Sequence, residues 1–252
     1  MNLLLVEPEE LLDDRLVLTG RRAVHLLQVL RVEPGSVVRL GMVDGRKGRG
    51  EVLRLGGGEV SLRVELDDQV AVPPQLELIL ALPRPIMLQR IFKQATVMGV
   101  RRFHLIRSQR VEKSFFASPV LFPEKTRALL LEGMEQAMDT WLPEVHIHRQ
   151  FRPFVEDVLP QLPGHGLIAH PHAIATLDAV FTPPAPESPL LLAIGPEGGW
   201  NDYELSAFTS RGFAGFSMGK RIFHVDTAVV ALMAQIDLLT QLRKTASNIS
   251  GG

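Results

Sequence analysis

The residues with the greatest chemical reach fall in three short stretches: AHPHAI at 169–174, GPEGGW at 195–200 and MGKRIFHVDTA at 218–228. In the second, the apolar run LLLAI at 190–194 leads straight into Gly195, Pro196, Glu197, Gly198 and Gly199. Adjacent glycines let a ligand come close to the main chain, and amides at the start of a following helix can meet acceptor atoms. A tight strand-to-helix turn with nothing bound explains the same residues, so the stretch alone leaves both readings open. Asn201 three residues ahead of Glu204 is close to a capping box, which predicts a helix from 201. In the third stretch Lys220, Arg221, His224 and Asp226 crowd a helix entrance. That is more ionisable groups than a structural turn needs, although Asp226 or Thr227 would equally serve as a helix cap.

Other chemistries find little support. Neither G-x-G-x-x-G nor G-x-x-x-x-G-K-[ST] occurs, so a nucleotide would have to be held by another loop geometry. A serine nucleophile with its triad is not expected. His165, His170 and His172 sit close in sequence, but without cysteine or H-E-x-x-H no metal is expected. Glu132, Glu135 and Asp139 fall near one side of a helix and read as a solvated face.

The elements that must position these groups follow from patterning. Residues 1–72 hold short β-type runs, SVVRL (36–40), GEVLRL (50–55) and EVSLRVEL (59–66), split by PGS, DGRKG and GGG, and read as a small β-barrel or sandwich. DDQVAVPPQ (67–75) is the linker candidate. From 73 to 252 strands and helices alternate: strands at 76–83, 101–108, 145–148, 166–170 and 190–195, helices at 86–99, 122–139 and near 153–159. That rhythm implies an α/β fold with a parallel sheet covered on both faces, whose ligands sit beyond the carboxyl ends of the strands, where the three loops lie. TPPAPESP (182–189) is a Pro-rich connector and KTASNISGG (244–252) a frayed tail. The helix over 228–239 is apolar nearly all round, and belongs either at the domain centre or in an interface with another subunit.

The chain has 252 residues, 46% hydrophobic and 22% charged, with no cysteine and a net charge of −1. No apolar run reaches the ~20 residues needed to cross a bilayer, and the start MNLLLVEPEE has no basic leader, so a cytoplasmic protein with no membrane partner is expected. Charge is unevenly spread: between 84 and 113, Arg84, Arg90, Lys93, Arg101, Arg102, Arg107, Arg110 and Lys113 face the single acid Glu112. With Arg46, Lys47 and Arg49 of the loop at 43–50, this band could attract a polyanion.

Taken together, H25-L-L-Q-V-L-R31 with its following P-G, E135-Q136, P143-E144, I194-G-P-E-G-G199 and G219-K-R-I-F-H-V-D-T-A228 form one constellation. It resembles the uridine-N3-specific ribosomal small-subunit RNA methyltransferase E family, within the trefoil-knotted SPOUT superfamily, over nearly the whole chain. The resemblance implies a PUA-like RNA-binding β-barrel over 1–72 and a knotted α/β methyltransferase domain over 73–252. It further implies a homodimer and S-adenosyl-L-methionine held by the three loops. His170, Pro171, Ile194, Gly195, Pro196, Glu197, Gly198, Gly199, Met218, Gly219, Ile222 and Thr227 would then bind the cofactor. Arg221, His224 and Asp226 would serve catalysis, and His25, Arg31, Arg46, Lys47, Arg49, Arg84, Arg90 and Lys93 would meet ribosomal RNA, free or in the small subunit.

Three departures bear on the target. The family's R-T-E-T-A is here H224-V-D-T-A228, its E-L-G-V is V97-M-G-V100, and Asp139 stands where an arginine follows the E-Q pair. Fewer guanidinium groups weaken phosphate and fork-like base contacts. An RNA-binding paralogue with reduced turnover, or a methyltransferase acting on another RNA position such as the ribose 2′-oxygen, therefore stands beside the uridine-N3 reading.

Overall fold

The computed structural model describes residues 2–70, 72–185 and 188–250. Ala71 of the linker candidate, Pro186 and Glu187 of the Pro-rich connector, and Gly251 and Gly252 of the tail lie outside them. The chain forms two compact units, Met1–Pro73 with Leu131–Leu142, and Pro74–Leu130 with Pro143–Gly252.

In the first unit the strands β1 (Leu4–Val6), β2 (Leu11–Leu12), β3 (Arg15–Leu18), β4 (Val37–Met42), β5 (Lys47–Gly56) and β6 (Glu59–Leu66) form one sheet in the order β1-β4-β5-β6-β3-β2. Only β1 and β4 run parallel. Strict alternation in β3 and β6 turns Leu16, Leu18, Val60, Leu62 and Val64 inward. Helix α1 (Gly20–Val24) and the wide helical turn His25–Val29 close this core with Ala23 and Leu26. A second cluster joins Leu3, Leu5 and Val43 to Met134, from the end of helix α3 (Pro123–Ala137). Just beyond, Thr140 Oγ1 donates to the Gly45 carbonyl at 2.8 Å and Leu142 N to Asp44 Oδ1 at 2.9 Å. The solvated face expected on this helix is therefore incomplete. Glu135 is buried, 3.6 Å from Arg21, and burial pushes its carboxyl up.

The second unit is built on six parallel strands: β7 (Leu76–Ala81), β8 (Val100–Ile106), β9 (Glu144–His148), β10 (His165–Ala169), β11 (Leu190–Ile194) and β12 (Ala214–Phe216). Their order is β12-β10-β11-β7-β8-β9. Every residue of β7 and β11 is buried, as befits central strands of a sheet covered on both faces. Helix α2 (Pro85–Val97) opens on proline and buries Leu88, Ile91, Phe92 and Ala95, with Phe92 edge-on to Phe103 of β8 at 5.3 Å. The helix expected near 153–159 is a chain of short turns, α4 (Phe151–Pro153), Phe154–Val158 and Leu159–Gln161. Short helices α5 (Leu177–Val180) and α6 (Asp202–Thr209) precede the last helix, α7 (Val225–Ser250).

Helix α7 corrects two expectations. Its helical backbone continues to Ser250, so 244–250 is not a frayed tail. The segment Val225–Ala246 thereby becomes long and apolar enough to cross a membrane by length and composition, with a mean hydropathy of 1.3. The apolar stretch over 228–239 is shorter than that span by itself, and the helix carries Asp237 within it on an exposed side. One face, with Val229, Leu232, Met233 and Ile236, is nevertheless packed within this unit.

A polar network crosses the β7, β8 and β9 side of the sheet. Arg102 donates to Glu77 at 2.7 Å and to Glu144 at 3.0 Å, while buried His104 lies between Glu77 (3.1 Å) and His148 (3.2 Å). Hydrogen bonds from Arg102 bring Glu144 down to about 2. Burial, helped by His104 and His146, brings His148 down to about 4 from 6.5. Below pH 6.5 the unfolded chain gains a proton at this position that the folded one refuses, so stability is full above 6.5 and falls as the pH approaches 4. The Tm measured by circular dichroism is expected to drop across that window, and His148→Gln to flatten the drop. An unchanged slope in the variant removes His148 as its source.

Candidate functional site

Because β12, β10 and β11 are neighbours in the sheet, the loops leaving their carboxyl ends meet. His170 N donates to the Phe216 carbonyl at 2.9 Å, and Ser217 Oγ to the Pro171 carbonyl at 3.2 Å, tying the first loop to the third. Between the three loops lies a pocket with about 700 Å³ of free space, its open mouth included. The first loop lines it with His170 and Pro171, the second with Ile194, Gly195, Pro196, Glu197, Gly199 and Trp200. The third contributes Met218, Gly219, Arg221, Ile222 and Phe223, and α7 supplies Val225, Ala228 and Leu232. Arg221 and Glu197 are the only Arg, Lys, Asp or Glu residues in this lining.

The glycine loop owes its shape to close approach and to hydrogen bonding. A Cβ on Gly195 would meet the Trp200 ring at 3.1 Å, and Gly199 turns at φ +73°, where other side chains are strained. Its amide donates to the Pro196 carbonyl at 2.7 Å. Next, Asn201 Oδ1 accepts from Glu204 N at 2.8 Å and Glu204 Oε2 accepts from Asn201 N at 3.1 Å, a reciprocal cap on α6. The amides expected to be free for a ligand at this helix start are thus partly taken by the chain's own side chains. Two buried side-chain nitrogens are left over in the pocket wall: His170 Nδ1 and Trp200 Nε1 have no hydrogen-bond partner among the described residues.

Several expected residues stand elsewhere. Gly198 is outside the pocket lining, since its carbonyl faces Arg110, whose guanidinium also reaches the Gly199 carbonyl at 3.4 Å. His224 and Thr227 are exposed and do not line it. Helix α7 begins at Val225, so Asp226 and Thr227 lie inside its first turn rather than capping it. Asp226 Oδ1 accepts from Thr227 N at 3.0 Å, and its other oxygen is 3.2 Å from Arg90. That pairing draws Arg90 out of the basic band, as Glu77 and Glu144 draw Arg102. On the first unit, Arg49 is held by Glu65 at 2.8 Å, Arg31 is exposed at φ 51°, and Arg46 and Lys47 are half-buried. His25 is half-buried with Nε2 unpartnered. Arg84 is exposed ahead of α2, and Lys93 is half-buried on it.

With this geometry in hand, the family profile described as "RNA methyltransferase domain" matches residues 71–237. A protein of Treponema pallidum named ribosomal RNA small subunit methyltransferase E is 30% identical over 94% of the chain and 90% of its own length. The chain belongs to the ribosomal RNA small subunit methyltransferase E family. The Synechocystis methyltransferase E is 28% identical over 94% of the chain and 78% of the relative. Among solved structures, the Neisseria gonorrhoeae methyltransferase E bound to S-adenosyl methionine superposes with a TM-score of 0.76 at 20% identity, covering 94% of this chain and 98% of that one. A probable rRNA-methyltransferase from Porphyromonas gingivalis gives 0.75 at 20% identity, covering 96% and 100%. At these identities the structural likeness speaks to the fold.

Arg110 is the residue of this methyltransferase E chain that the motifs did not single out. It was visible only as one of several cations, and nothing local tells that a side chain 88 positions away in sequence clamps Gly198. Gln109 acts with it, its amide on Glu204 Oε1 at 2.7 Å and its side chain on Asn201 at 2.6 Å. Arg110→Ala is expected to leave the Tm nearly unchanged while speeding hydrogen exchange at the Gly199 amide several-fold. Unchanged exchange in a folded variant would show that the turn holds its own shape.

Proposed function

We propose that the chain is an S-adenosyl-L-methionine-dependent methyltransferase acting on N3 of a uridine in small-subunit ribosomal RNA. The observation that carries this reading is the meeting of three loops around a mostly apolar pocket with one unpaired arginine at its wall. The residues present fit the cofactor. The unpartnered Trp200 Nε1–H suits a ring nitrogen or hydroxyl oxygen, the unpartnered His170 Nδ1 suits a hydroxyl or amino group in either tautomer, and Ile194, Met218 and Leu232 offer apolar cover. Glu197, in the same lining, would balance the positive charge that the cofactor carries. Bound there, S-adenosyl-L-methionine supplies a methyl group activated by its sulfonium.

The chain's own residues then have to orient a base and manage one proton. Uridine N3 is protonated at neutral pH, and removing that proton spreads negative charge onto O2 and O4. We assign Arg221 to stabilise that charge, since it lines the pocket and no ion pair occupies it among the described residues. His224 and Asp226 take supporting parts: His224 is two residues from Ile222 of the lining, and Asp226 anchors the first turn of α7 to Arg90. The proposal includes a PUA-like barrel for the first unit and a trefoil knot in the second. It also includes a homodimer in the cytoplasm, supported by Leu238 and Leu242 exposed on α7.

Titration calorimetry with S-adenosyl-L-methionine, followed by methyl transfer onto small ribosomal subunits from cells lacking the modification, tests the reading. The expected product is 3-methyluridine, from a protein that light scattering finds dimeric. Arg221→Ala should lower kcat roughly 100-fold while cofactor affinity stays within a few-fold. Cofactor binding without transfer would favour the RNA-binding paralogue, and a methylated ribose would overturn the N3 assignment. Arg84→Ala should lower the slope of log affinity for RNA against log salt by about one. Arg90→Ala should lower it less, because Asp226 already neutralises that charge. Equal slopes for wild type and Arg84→Ala would remove Arg84 from the RNA surface.

A further inference from the structure

The segment that lines the cofactor pocket continues directly into a second cavity. Trp200 belongs to the first, Asn201, Tyr203 and Glu204 to the second. This second space, about 1240 Å³ with its open mouth included, lies beyond the carboxyl ends of β8 and β9 and beside the start of α6. Its walls include Arg107, Ser108, Gln150, Phe151 and Asp157.

Three features mark it as a site rather than a surface depression. Ser108 is 1% exposed, and its Oγ has no hydrogen-bond partner, a state that buried hydroxyls seldom keep unless something outside the chain satisfies them. Arg107 is half-buried beside it, its guanidinium without an ion pair among the described residues. Tyr203 is 58% exposed and braced by the Phe151 ring at 6.0 Å, so it presents an aromatic ledge on a fixed support.

The charges favour one kind of occupant. Arg152 is already paired with Glu156 at 2.8 Å, and Asp157 and Glu204 add two further acids, so the wall repels a phosphate. A neutral planar heterocycle with donors and acceptors on its edge suits an aromatic ledge, an unsatisfied hydroxyl, a guanidinium and a side-chain amide. We propose that this cavity receives an unstacked base of the substrate RNA, close in the strand to the nucleotide that is methylated. The base stacks on Tyr203 and meets Ser108, Arg107 and Gln150 along its edge. This rests on the methyltransferase reading above and adds to it a second point of contact with the RNA.

Tyr203 is the single tyrosine of the chain, so full-length protein grown with 3-fluorotyrosine carries one fluorine resonance, and that resonance reports this ring. A mixed-sequence single-stranded RNA octamer is expected to shift it, and S-adenosyl-L-methionine alone to leave it in place. In the transfer assay Tyr203→Ala should raise KM for the small subunit roughly ten-fold, with kcat and cofactor Kd within two-fold. Tyr203→Phe should restore the wild-type KM, and Ser108→Ala should raise it by a smaller factor. If wild type transfers methyl groups but the resonance ignores RNA, or if KM is unchanged in Tyr203→Ala, the base site is overturned and the methyltransferase reading stands. If wild type transfers nothing but RNA moves the resonance, the base site stands and the methyltransferase reading falls. Neither transfer nor shift overturns both.

Discussion

Much of this arrangement hangs on one carboxylate. Glu204 is 2% exposed, and its oxygens are held by backbone amides, Oε1 by Gln109 N and Oε2 by Asn201 N. A buried anion is tolerated only where donors converge on it, and here the donors come from two different loops, one after β8 and one after β11. Each loop is thereby fixed relative to the other. The glycine turn begins where that anchor ends, and Arg110, the neighbour of Gln109, closes over its carbonyls. The shape of the cofactor pocket and the wall of the second cavity are thus consequences of the same few hydrogen bonds.

A second buried carboxylate of this unit is managed in the same manner, by convergence instead of exposure. Glu77 is 2% exposed in a central strand, yet Arg102 and His104 of the neighbouring strand both reach it. Register makes this possible, since Glu77 lies opposite Arg102 and Ile79 opposite His104. Burial holds His104 and His148 below the usual imidazole range, so the network stays compact at neutral pH and is strained by acid. It spans β7, β8 and β9, the side of the sheet away from β10 and β12. Its part is to fix β8, which leads through Arg107 and Ser108 to Gln109 and Arg110.

The sequence carried the α/β rhythm well because long apolar strands and amphipathic helices are local signals. The LLLAI run, the Asn201 and Glu204 cap and the EVSLRVEL alternation each need only a few neighbouring residues to be read. What escaped was short or distant. Strands β1 to β3 are two to four residues long, too brief for a period to show. Glu135 looked solvated because a helix pattern cannot reveal that Arg21 closes over it. The glycine, histidine and arginine loops were legible as a group, since sheet logic places them together, but the roles within them were not. Asp226 offered itself as a cap or a catalytic acid, and its partner is Arg90, 136 positions away.

Those distant pairings also change what the charge distribution means for a polyanionic partner. A run of eight cations against one acid suggests a continuous electropositive band, but Arg90, Arg102 and Arg110 are each committed inside the second unit. The chain as a whole carries a net charge of −1. Counterion release at a handful of uncommitted cations gives modest and salt-sensitive affinity. Discrimination among RNA sites must then come from contacts that salt does not screen: ring stacking, side-chain amides and unsatisfied hydroxyls. These are the groups gathered where the loops after β8, β9 and β11 converge, next to the pocket in which the methyl group would be handled.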